Sequence, residues 1–137
     1  MNILHTDWWS LALPPEWLAE REEDGIVIAD QDGVGSIEIT TLRRESGEFT
    51  VAELRRIAGN DDCCFDPVQM GDFRGLGRTF QEADTALREW YLAAGGLLLF
   101  ITYSCGLEQA RLDDAAVDAI LDTLQLSSTG ADFSSCE

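Results

Sequence analysis

Apolar and polar positions first alternate along the chain and then take up a helical spacing twice, which predicts a β-rich protein with two helices. Trp8-Trp9-Ser10-Leu11-Ala12-Leu13 alternates enough for a strand, and Pro14-Pro15 ends it because neither proline can donate to a ladder. Trp17 opens a second, shorter strand. Gly25 starts another at Ile26-Val27-Ile28-Ala29, and the polar Asp30-Gln31-Asp32-Gly33 is a turn before a strand from Val34 to Leu42. In that strand Ile37, Ile39 and Thr41 share one face, Glu38 and Thr40 the other.

The first helix is signalled by Thr50 as N-cap, Glu53 as its capping-box partner, and Phe49 placed to staple onto Leu54. Val51, Leu54, Ile57 and Ala58 recur at helical spacing and Gly59 supplies the stop, so the helix spans about Val51 to Ala58. Asn60 to Pro67 is a polar connection. Val68 to Asp72, Gly75 to Glu82 and Ala86 to Ala94 then read as strands, and Gly95-Gly96 is a tight hairpin turn into Leu97-Leu98-Leu99-Phe100-Ile101-Thr102-Tyr103. This last strand is apolar on both faces, which places it centrally in a sheet covered on both sides. A final helix begins near Asp113-Asp114, with Ala116, Val117, Ile120, Leu121 and Leu124 as its apolar stripe. The sum is an α+β chain: an antiparallel sheet of about 6–8 strands packed by two main helices. Residues 1–126 read as a single domain and residues 127–137, poor in apolar side chains, as a flexible tail.

Charge narrows the function classes. Twenty-six acidic residues face nine basic ones, all arginine, for a formal net charge of -17. Nucleic acid and anionic lipid are repelled by such a field; a basic protein partner, a cationic peptide or a divalent cation is favoured by it, although an acidic surface more often serves solubility, and the expected partner is a protein presenting a basic or apolar segment. The N-terminus has no basic region ahead of a long apolar stretch, and the longest apolar run, Leu97 to Ile101, is too short to cross a bilayer. The expected compartment is the cytoplasm, with no membrane contact. Cys63, Cys64, Cys105 and Cys136 fit neither a metal-ligand spacing nor a secreted disulfide framework, so reduced thiols are expected.

Catalytic chemistry finds little to work with. The lone His5 lies in the N-terminal lead-in, and no serine sits in a nucleophile-elbow pattern. Asp61, Asp62 and Asp66 beside Cys63-Cys64 raise the thiol pKa rather than activate it. Gly75-Leu76-Gly77 lacks the third glycine and the helix of a dinucleotide loop, and reads as a strand with a bulge or a close backbone contact. Asp30-Gln31-Asp32-Gly33 has Ile28 at the first ligand position of a calcium loop and no closing glutamate. The expectations are therefore no catalytic set, no metal and no cofactor.

Trp9-Ser10-Leu11-Ala12-Leu13-Pro14-Pro15-Glu16-Trp17, and the terminal Ile120-Leu121-Asp122-Thr123-Leu124-Gln125-Leu126, resemble members of the Mog1/PsbP-like superfamily. In that superfamily an aromatic-led strand runs into a Leu-Pro turn closed by tryptophan, although Glu16 stands where a glycine is often found. The resemblance covers nearly the whole chain. It implies an α/β/α sandwich and a binding or assembly factor, with small bacterial members that escort type VI secretion effectors, and it carries over no functional residue.

The surplus of large aromatic side chains supplies the candidate contacts: Trp8 or Trp9 with Trp90 or Tyr91, since aromatics make strong anchors and neighbours in a strand point to opposite faces. Two classes follow. One is a non-catalytic protein-binding module, an adaptor or effector chaperone; the other is a small-molecule carrier or enzyme with a pocket between sheet and helix. A strand edge also offers a route to a homodimer.

Overall fold

The computed structural model describes residues 2–23, 25–59 and 65–126. Among these residues ten strands and two α-helices make an α+β fold. The strands are β1 (Asn2–His5), β2 (Trp9–Leu13), β3 (Trp17–Glu22), β4 (Gly25–Asp30), β5 (Gly35–Arg43), β6 (Asp66–Met70), β7 (Phe73–Glu82), β8 (Thr85–Ala94), β9 (Leu97–Gly106) and β10 (Gln125–Leu126). Helix α1 spans Val51–Ala58 and helix α2 Asp114–Leu121. Seven strands form one antiparallel sheet in the order β3-β4-β5-β9-β8-β7-β6, and β1-β2-β10 form a second.

Strand β9 is central, as its two-faced apolarity requires. Its Leu97, Leu99, Ile101, Tyr103 and Cys105 point to the inner face and meet Ile37 and Ile39 of β5 and Trp90 and Leu92 of β8. Over this inner face lie Val117, Ile120 and Leu121 of α2 and Trp9, Leu11 and Leu13 of β2, all buried. Each such side chain stabilises the fold by about 1.5–3 kcal/mol relative to exposure. The outer face is covered at one end by α1, whose Leu54 packs on Leu76, Ala93 and Leu98 with Phe49 and Ala58 beside it.

The capping box of α1 forms as its sequence predicts: the Glu53 amide donates to Thr50 Oγ1 at 3.1 Å, and the Thr50 amide donates to Glu53 Oε1 at 3.1 Å. Gly95, at φ 58°, makes the two-residue turn that sets Ala94 opposite Leu97.

Four features depart from the expectations. The lead-in Asn2–His5 is a strand, paired with β2 from Asn2 opposite Leu13 to His5 opposite Ser10. Trp8 lies just before its strand, in a bend held by the Thr6 hydroxyl, which accepts from the Trp9 amide at 3.0 Å and donates to the Trp9 carbonyl at 2.8 Å. Gln125–Leu126 pairs with β2 and closes a second sheet, raising the strand count to ten. Asp113 does not cap α2 with its side chain; its carboxylate accepts from Tyr103 instead, because a buried phenol needs an acceptor.

Candidate functional site

Strand β8 carries two of the four aromatic candidates and sends them to opposite faces of the large sheet. Tyr91 points outward. Its ring lies 4.9 Å from Phe100, its partner on β9, and 5.8 Å edge-on from Phe65. Next to this cluster the Arg78 guanidinium stands 4.8 Å from Phe65 and 4.1 Å from Phe80, and its Nε donates to Glu89 at 2.9 Å. Burial, helped by Glu89 and opposed by Arg78, raises the Tyr91 phenol above its ordinary pKa.

Among the described residues this outer surface is only partly roofed. Helix α1 has eight residues and fully buries Leu54 alone, while its Val51 and Ile57 remain about half exposed. Beyond it, Tyr91, Phe100, Phe80 and Leu87 are half-buried, and Leu18 and Leu42 at the β3 and β5 side are exposed. A row of Glu38, Thr102, Glu89 and Arg78 crosses the same face. The result is an aromatic and apolar surface on rigid strands with a charged strip through it.

Trp90 points inward and is 2% exposed. Arg88, two residues earlier on the same face, lies 4.7 Å over its ring and binds α2 through Asp118 at 2.7 Å and Asp114 at 3.5 Å. Beside Trp90 a groove of about 600 Å³ opens between α2 and the edge strand β6, floored by Gly77 and Thr79. A second hollow of about 370 Å³ lies between β8 and the Leu107–Arg111 segment.

The other two candidates lie far from this strand's outer cluster. Trp9 is fully buried and donates its indole N–H to Thr41 at 3.0 Å, a core role. Trp8 is 40% exposed, with Arg43 5.2 Å from its ring, in a shallow hollow with Arg21, Gly25 and Thr41. Tyr91 on the outer face and Trp8 in its separate hollow are thus the candidates left partly exposed, and they do not share a patch.

Sequence reading missed Phe65, Arg78, Phe80 and Phe100. The signal for Phe100 was present: a two-residue turn at Gly95-Gly96 fixes the β8–β9 register and puts Tyr91 across from Phe100. Cys105 is buried and, among the described residues, unpaired; Cys63, Cys64 and Cys136 lie outside them. Among the described residues no three His, Cys, Asp or Glu side chains are grouped to hold one metal ion, and no helix is long and apolar enough to cross a membrane.

Among the described residues the fold is α+β, with a partly open outer sheet face and a groove between α2 and the edge strand β6. No protein-family model matches the chain, and no curated protein matches it. Among solved structures, a crystal structure from Bacteroides thetaiotaomicron VPI-5482 superposes with a TM-score of 0.67 over 92% of this chain at 16% identity, a likeness of fold. This chain spans 47% of the length of that one. The solution structure of the cyanobacterial PsbP protein (CyanoP) from Synechocystis sp. PCC 6803 is 9% identical, with a TM-score of 0.44 over 88% of each chain.

Proposed function

We propose that this chain is a non-catalytic protein-binding module that engages its partner through the outer face of the seven-stranded sheet. The observation that carries the reading is the roof that the described residues provide: an eight-residue helix over a seven-stranded sheet, with Tyr91, Phe100, Phe80 and Leu87 partly exposed beyond it. Aromatic residues and arginine are the side chains enriched at binding hot spots, and here they sit on strands, so little entropy is lost when a partner docks. The adaptor and effector-chaperone roles implied by the family resemblance are particular forms of such binding.

The test is affinity purification of the tagged protein from its own cells at low salt, alongside a Tyr91→Ala/Phe100→Ala double variant shown to be folded by circular dichroism. A stoichiometric protein captured by the parent and lost from the variant is the expected result. Equal capture by both, or capture by neither, overturns the reading.

A further inference from the structure

Strand β3 is one end of the seven-stranded sheet, and among the described residues it pairs with β4 alone. The direction of its backbone groups follows from one bond: the Gln31 amide donates to the Glu16 carbonyl at 2.9 Å. Hydrogen-bonded pairs alternate with non-bonded ones in an antiparallel ladder, so Leu18–Ala29, Glu20–Val27 and Glu22–Gly25 are the bonded pairs of this register. The amides and carbonyls of Ala19 and Arg21, and the carbonyl of Trp17, therefore point away from β4. The Trp17 amide points the same way and donates to the Pro14 carbonyl at 3.0 Å; the others have no backbone partner among the described residues. Such a row of unpaired groups is a template for a further strand.

Sheet edges are commonly blunted by proline, a bulge or a covering element. The opposite edge strand, β6, carries Pro67. Strand β3 has no proline and runs in unbroken register with β4 from Trp17 to Glu22. Its outer face presents Leu18, 58% exposed, then Glu20 and Glu22, both exposed and without a basic partner among the described residues. On the inner face the Arg21 guanidinium donates to the His5 carbonyl, which ties the end of β3 to β1. Side chains on adjacent strands touch, so an added strand meets one apolar and two acidic neighbours on the outer face. A second copy of this edge would bring its own glutamates into that field, whereas basic side chains are drawn to it by the overall charge of -17.

We propose that the free edge of β3 takes up an extended segment of a partner protein as an added antiparallel strand, with basic side chains next to Glu20 and Glu22 and an apolar one next to Leu18. Main-chain bonds to Ala19 and Arg21 hold the segment, and its side chains select it.

Hydrogen exchange on the free, full-length protein tests the edge itself: the amides of Ala19 and Arg21 should exchange with solvent while those of Leu18 and Glu20 are protected. Equal protection of all four in a monomer means that the edge is covered, and overturns the proposal. The binding probe is a blocked arginine-threonine-arginine-threonine-isoleucine-threonine peptide. Laid antiparallel, it sets its arginines opposite Glu22 and Glu20 and its isoleucine opposite Leu18; a control peptide carries glutamate for both arginines. At millimolar concentration the arginine peptide should shift the ¹⁵N–H resonances of Ala19 and Arg21 and protect them from exchange, and the glutamate peptide should leave them unmoved. Ala19→Pro removes an amide that β4 does not use, so the variant should fold and bind at least about tenfold more weakly. Glu20→Gln/Glu22→Gln, on exposed side chains, should weaken binding about fivefold, as the loss of two exposed ion pairs implies. Unmoved resonances with the arginine peptide, equal binding of the glutamate peptide, or unchanged affinity in either variant overturns the proposal. A concentration-dependent dimer of the parent that Ala19→Pro dissociates identifies a second copy as the occupant, and overturns the partner assignment. Three strands separate β3 from β8, so Ala19→Pro leaves Tyr91 and Phe100 in place and the outer-face capture experiment stands or fails on its own.

Discussion

Tyr103 and Asp113 show how one buried pair ties a strand to a helix start. The phenol donates to Asp113 Oδ2 at 2.6 Å, with Tyr103 3% exposed and Asp113 9% exposed. Removing the hydroxyl leaves a buried carboxylate without that donor, so Tyr103→Phe should cost roughly 1.5–3 kcal/mol in urea unfolding at neutral pH. A loss within error would mean that water satisfies Asp113 unaided. Burial first, then the Asp113 carboxylate, pushes the Tyr103 phenol well above its ordinary value of 10. The folded state then holds a proton that the unfolded chain releases above pH 10. Stability from this group is complete below that pH and falls as pH rises past it, a slope that Tyr103→Phe should remove.

At the scale of elements, α1 is the clearest case of a local signal needing tertiary help. Eight residues are too few to hold a helix in water, however well capped. The cap stops the ends from fraying, and Leu54 on Leu76, Ala93 and Leu98 supplies the packing. Arg44 adds a two-pronged contact to Glu53, at 3.0 and 2.6 Å, and that hydrogen bonding with the Thr50 amide holds the Glu53 carboxyl at about 2, against an ordinary 4.5. Because the folded pKa is lowered, the contribution is full above about pH 4.5 and lost as pH falls toward about 2. Hydrogen-exchange protection of the α1 amides should follow that acid window. Arg44→Gln should move the loss upward toward pH 4.5; an unchanged acid profile would show that Arg44 does not hold the helix.

At the scale of the molecule, the excess of acidic residues works against compactness. A net charge of -17 on 137 residues repels itself, and salt screens repulsion between exposed charges beyond about 10 Å at 0.1 M. Added sodium chloride should raise the melting temperature by about 3 °C or more between low and physiological ionic strength, as a gain of roughly 1 kcal/mol implies. A flat or falling response would mean that the four surface ion pairs among the described residues, such as Arg78–Glu89, outweigh the repulsion.

Much of this architecture was legible residue by residue. Thr50, Glu53 and Gly59 marked α1, Gly95-Gly96 marked the β8–β9 hairpin, and the two-faced apolarity of Leu97 to Ile101 marked the centre of the sheet. These are local effects: dihedral preference, side chain to backbone hydrogen bonds and the period of burial. The second sheet was not legible: Gln125–Leu126 is a strand only through pairing with β2, more than a hundred residues away, and Asn2–His5 forms a local hairpin with β2 that its four-residue pattern does not signal. The aromatic candidates divide in the same way. Alternation alone put Trp90 and Tyr91 on opposite faces of their strand and Trp8 and Trp9 on different sides. Which side is covered depends on what packs there: the tertiary structure buried Trp9 beneath the small sheet, left Tyr91 beside Phe100 at the edge of a short roof, and set Trp90 over the missing side chain of Gly77. Sequence determined the elements because their causes lie within a few residues; only the tertiary structure decided the surfaces, because exposure belongs to neighbours that the local sequence does not contain.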